Sequence, residues 1–180
     1  MFEHWDNFYL LIGGAAGSLI GLLFIVATIT RGAQDPDSAL RGASVYLSPV
    51  VLQLGMVLVV SALTAVPDAS PAVCSVIVAL CALAGLAASG RVMFHLKIGK
   101  LFRSAHWTDF WWYGAAAFVA DLLLAGSAAA VWLASPGPAA HGVALSLVLI
   151  LLLAIRNAWD LVTWITAKGP GAQSGKTDAP

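Results

Sequence analysis

Apolar positions fall into five long runs separated by short polar breaks, over 8–30, 44–66, 71–92, 110–134 and 142–167. The runs are 22 to 26 residues long. A helix of that length covers the ~30 Å hydrocarbon core of a bilayer with some tilt. Two of the breaks are tight and carry helix-breaking residues: Pro67-Asp68-Ala69-Ser70, and Ser135-Pro136-Gly137-Pro138. The pattern predicts an all-α, polytopic membrane bundle of five transmembrane helices occupying 1–168. A tail at 169–180, rich in Gly, Pro, Ser and Ala, is expected to be disordered and cytoplasmic.

Composition agrees with this picture. Hydrophobic residues make up 60% of the chain and charged residues 10%, against roughly 25% charged in soluble domains. A soluble fold with so few charges would expose large apolar patches. Net charge is zero and the basic residues are scattered over several loops, so no basic groove for nucleic acid is expected. Cys74 and Cys81 lie seven residues apart in one run. On a helix that is roughly 10 Å, too far for a disulfide between them.

Basic residues occupy alternate breaks. Arg31 and Arg41 follow the first run, Arg91, Lys97, Lys100 and Arg103 end the third, and Lys168 and Lys176 follow the fifth. The N-terminus and the other two breaks contain no lysine or arginine. Because Lys and Arg stay cytoplasmic, the N-terminus is expected outside and the C-terminus inside. Glu3, His4 and Asp6 precede the first run and Arg31 follows it, the reverse of a signal peptide's charge order, so this helix is expected to be retained. Trp107, Trp111, Trp112, Tyr113 and Trp164 fall at the predicted inner boundary, and Trp5, Tyr9 and Trp132 at the outer one. Such positions suit headgroup anchoring. The basic, amphipathic stretch 93–108 is expected to continue the third helix or lie along the inner surface.

Two features bear on function. Gly13, Gly17 and Gly21 repeat every four residues, and small residues in register let helix backbones approach closely. A close contact at Gly17, within the monomer or between subunits, is therefore expected. The second feature is a set of polar side chains deep in the runs: Gln53, Asp121, Arg156, Asn157 and Asp160. Counted from the ends of their own runs, Asp121 and Arg156 fall at similar depth. A lone charge there costs about 2.5–3.5 kcal/mol or more, so a pair between Asp121 and Arg156 is expected. That pair either fixes helix register, lines a path for an ion, proton or solute, or binds a partner helix or lipid headgroup. No histidine lies deep in a run, and no metalloprotease helix, serine elbow or phosphate loop occurs. No metal, cofactor or catalytic residue is predicted, and the chain is expected not to be an enzyme.

The opening Phe8-Tyr9-Leu10-Leu11-Ile12-Gly13-Gly14-Ala15-Ala16-Gly17, with Gly21-Leu22-Leu23-Phe24, resembles the first helix of uncharacterised small multi-pass bacterial membrane proteins. The resemblance spans about one helix. It implies a multi-pass helical fold and no activity. The expectation is a protein of the bacterial inner membrane whose partners are the lipid bilayer and either further copies of itself or another membrane protein. It is an oligomeric channel or transporter-like conduit or, alternatively, an accessory, assembly or regulatory subunit of a larger complex. A polar cluster facing a wet axis favours the first role, and an enclosed cluster favours the second.

Overall fold

The computed structural model describes residues 5–30, 36–64, 66–98, 110–133 and 136–167. The described residues are all-helical: α1 (Asp6–Thr30), α2 (Pro36–Thr64), α3 (Pro71–Ile98), α4 (Ala116–Leu133, entered through a π-helical turn at Phe110–Ala115) and α5 (Pro136–Ala167). Stretches in α1, α3, α4 with its π turn, and α5 are long and apolar enough to cross a membrane. In α2 the described apolar stretch is shorter, Pro49–Thr64. The tail at 169–180 and the far end of the amphipathic stretch, 99–108, lie outside the described residues, whereas 93–98 continue α3.

Local chemistry accounts for the helix ends. Ser70 caps α3, its hydroxyl accepting from the Val73 amide at 3.3 Å. Pro71 follows at the first helical position, where a missing N–H costs nothing. Asp68 turns the chain between α2 and α3 with φ at 55°, a left-handed conformation that aspartate tolerates better than most residues. Inside α2, Pro49 has no N–H to give to the preceding turn.

Consecutive helices pack side by side, α1 on α2, α2 on α3, α3 on α4 and α4 on α5, and α5 closes the bundle by touching α1 and α2. Within its membrane-length stretch α5 is 56% buried, against 17% for α1, so α5 is the post and α1 the outermost stave. The core stripes follow helical spacing. Val50, Leu54, Val57 and Val60 of α2 meet Val143, Leu147, Ile150 and Ala154 of α5 in one apolar cluster. The outward faces are apolar too, with Leu10, Leu11, Phe24, Val119, Leu133 and Leu152 exposed. Lipid is as apolar as these side chains, so burial alone cannot hold such helices together. Close packing and interhelical hydrogen bonds must.

That closeness is local. On α1, Gly13 is buried against α2: a Cβ there would lie 2.8 Å from the Ser61 Cβ. Gly17 has only an ordinary contact, Leu58 Cδ1 at 3.9 Å, and nothing of the described protein lies within 4 Å of a Cβ at Gly21. Of the three glycines, the tight approach is at Gly13, not at the expected Gly17. Gly13→Leu is therefore expected to cost about 1–3 kcal/mol through overpacking, and Gly21→Leu to change stability by less than about 0.5 kcal/mol. Thermal melting of the detergent-solubilised variants checks this; equal losses would contradict the packing described.

Candidate functional site

Each polar position sits where its helix takes it. Along α3 the buried residues include Ser75, Val78, Ala82, Gly85 and Ser89, spaced three or four apart and, apart from Val78, small. This face lets α4 come close. A Cβ at Gly114 would lie 2.7 Å from Met93 Cγ, and the Ser75 hydroxyl donates across to the Ala128 carbonyl at 2.8 Å. Trp132 Nε1 donates to Ser75 Oγ at 2.8 Å. Between these contacts lies Asp121.

Asp121 is fully buried. Its carboxyl rests on the bare backbone of Gly85, where a Cβ would come within 2.6 Å of Asp121 Cγ. Ser89 Oγ is 3.2 Å from Asp121 Oδ2 and donates to it. The same hydroxyl reaches the Gly85 carbonyl at 2.8 Å. Asp121 Oδ1 has no hydrogen-bond partner among the described residues. Burying a carboxyl oxygen without a partner is costly in any low-dielectric interior and most of all inside a membrane.

The expected pair between Asp121 and Arg156 does not form. Arg156 Nη1 bonds Asp160 Oδ2 one turn along its own helix, at 2.9 Å. Its guanidinium also lies over the Trp112 ring, 4.4 Å from the centroid, a favourable cation–π position. It reaches Asn157 Oδ1 only at 3.5 Å. The reason is register. The Tyr113 hydroxyl donates to the Asn157 carbonyl at 2.9 Å, and Ser127 packs on Gly142, so Asp121 lies opposite a point near residue 148 of α5. Arg156 is about eight residues further on, roughly 12 Å along the axis. Depth counted from the ends of the runs failed because α5 runs on to Ala167, past the level where α4 begins. Asp121 also turns toward α3 rather than α5.

The predicted cluster therefore divides. Arg156, Asn157 and Asp160 come together with Trp112 and Tyr113 at one end of the bundle. Arg156 and Asp160 are only partly covered, with 37% and 43% of their side-chain surface exposed. Beside the exposed Trp111 and Trp112, this is the position of a charge that reaches for the headgroup layer, whereas Tyr113 is buried and not at the expected boundary position. Asp121 stands apart, deeper between α3 and α4. Gln53 is buried in α2. Gly13, Gly17 and Gly21 belong to the α1 surface and touch none of these groups. At the opposite end, Trp5 stacks edge-on against His141, with ring centroids 5.0 Å apart, joining the starts of α1 and α5. Both cysteines are free. No group of three or more metal-ligating side chains occurs among the described residues.

Sequence reasoning missed Ser89 and Gly85. The signal was present as a small residue every three or four positions from Ser75 to Ser89, the pattern already noticed on α1. No family model, curated protein or solved structure matches this chain.

A double-mutant cycle separates the two arrangements. Asp121→Ala and Ser89→Ala are expected to couple by about 0.5 kcal/mol or more, and Asp121→Ala and Arg156→Ala to add within about 0.5 kcal/mol. Strong coupling of the second pair in detergent melts would contradict the separation of the two sites.

Proposed function

We propose that this protein is a non-enzymatic, oligomeric conduit for an ion or small solute, with Asp121 as its polar centre. The observation that carries the proposal is the Asp121 carboxyl oxygen left without a hydrogen-bond partner among the described residues. Polar packing alone is served by serine hydroxyls, as Ser75, Ser127 and Ser146 show by bonding helix carbonyls. A carboxyl that cannot be satisfied in place adds cost without adding packing. Ionisable groups at such positions line ion paths and proton relays. The alternative, an accessory or assembly subunit, is favoured by the enclosure of Asp121 within the packed helices and by the uncovered side of α1, where Gly14, Ser18 and Gly21 face outward.

In this proposal α2 is the fifth span, the end bearing Trp5 and Trp132 faces outward, and the end bearing Trp112 and Arg156 faces the bacterial cytoplasm. Alternation of basic and non-basic breaks supports that orientation. In a background lacking Cys74 and Cys81, Asp68→Cys and Gly137→Cys are expected to react with an impermeant thiol reagent added outside, and Lys100→Cys is not. External labelling at position 100 would reverse the orientation.

Purified protein in liposomes is expected to pass protons, a monovalent cation or a small solute down a gradient. Asp121→Asn is expected to return flux to the level of protein-free liposomes while the protein still folds, and Asp160→Asn to leave flux intact. Parent protein showing no flux of protons, cations, anions or small solutes would replace the conduit with the accessory subunit.

A further inference from the structure

Resting on the conduit proposed above, we infer that the species bound at Asp121 is a proton, held between α3 and α4 with Ser89 as its hydrogen-bond partner. Two independent features of the geometry lead there. The first is space. Gly85 is the wall on which the carboxyl lies, and even a methyl group in place of its hydrogen would come within 2.6 Å of Cγ. Asp121 has no residue surface open to solvent or lipid. A metal cation needs several oxygen ligands around it at more than about 2 Å, and α3 presents only Gly85 and Ser89 here. A proton needs one lone pair.

The second feature is the count of hydrogens. Ser89 carries one hydroxyl hydrogen but has two nearest acceptors, the Gly85 carbonyl at 2.8 Å and Asp121 Oδ2 at 3.2 Å, with the Leu86 carbonyl further off at 3.4 Å. It satisfies both only in alternation. With a proton on the carboxyl, the acid O–H donates to a Ser89 lone pair and the Ser89 hydrogen goes to the Gly85 carbonyl, the usual back-bond of a helical serine. When the proton leaves, the Ser89 hydrogen swings to Oδ2 and steadies the carboxylate. Loading forms one O–H bond and adds one positive charge to a site that is otherwise negative; the Ser89 hydrogen bond switches and no other covalent bond changes. The serine is a positioning residue that serves both states.

Charged groups do not compete for the site. α4 with its π turn contains no ionisable acid or base but Asp121 and the phenol of Tyr113, which is bonded to Asn157. On α3 the charged side chain nearest in sequence is Arg91, exposed two residues beyond Ser89. On α5, Arg156 is held by Asp160. No basic group lies within 4.0 Å of either Asp121 oxygen among the described residues.

Infrared difference spectra of the full chain in liposomes, taken between acid and alkaline pH, test the inference alongside flux. A protonated-carboxyl C=O band is expected that disappears at alkaline pH, is absent in Asp121→Asn and persists in Asp160→Asn. Ser89→Ala is expected to keep the band but shift it to higher frequency, since the acid loses its acceptor. Proton flux in the same liposomes is expected to vanish with Asp121→Asn. Absence of an Asp121 band, or a band unchanged at every pH, would overturn the proton site. Sodium or potassium flux without proton flux would overturn it and leave the conduit standing. A titrating Asp121 band with no flux of any ion would overturn the proton as cargo and the conduit together.

Discussion

A carboxyl group pressed onto a glycine backbone inside an apolar bundle ties α3 and α4 together. Asp121 cannot retreat to water, and Gly85 leaves room for it only if α4 keeps one rotation and one height against α3. The contacts to either side follow from that register. Gly114 comes onto Met93, Ala128 onto Ser75, and Trp132 within reach of the Ser75 hydroxyl. On its other side α4 places Tyr113 on Asn157 and Ser127 on Gly142, which fixes α5. In lipid, where apolar side chains gain nothing by meeting one another rather than acyl chains, such close and polar contacts supply specificity.

Much of the architecture was legible in the run lengths. An apolar run that outlasts a bilayer thickness has few alternatives to a helix, because backbone groups in lipid must bond within their own segment. Pro71 marked a helix start for a similarly local reason, whereas Pro136-Gly137-Pro138, read as a break before a helix at 142, form the first turn of α5, where proline is tolerated. The site was less legible. Asp121 was visible as a costly residue, but its partner depends on the rotation and height of α4, and neither is written in run boundaries. The helix α5 extends past the level where α4 begins, and that overhang places Arg156 near the aromatic belt rather than beside Asp121. Likewise a glycine repeat announces close packing without saying which glycine is touched. Only Gly13 of the three meets the neighbouring helix tightly among the described residues, because a four-residue step drifts around the helix and carries Gly21 to the exposed face.

Two polar zones of different character result. One lies beside Trp112, where Arg156 and Asp160 satisfy each other and remain partly uncovered, a position suited to anchoring a helix end in the headgroup layer. The other is a single carboxyl, enclosed, with serine as its only hydrogen-bonding neighbour among the described residues. Anchoring explains the first zone fully. It does not explain the second, because an alanine at position 121 would fit the α3 face at lower cost. That difference directs the functional proposal to Asp121 and away from the more numerous charges on α5.

The central claim is that Asp121 faces α3 and not α5. Cysteine cross-linking tests it most directly. In a background lacking Cys74 and Cys81, Ser89→Cys with Asp121→Cys is expected to form an intramolecular disulfide under mild oxidation in the membrane. Asp121→Cys with Arg156→Cys is expected to form none, since the two lie roughly 12 Å apart along the helix axis. Efficient bridging of 121 to 156, with none between 89 and 121, would contradict the account.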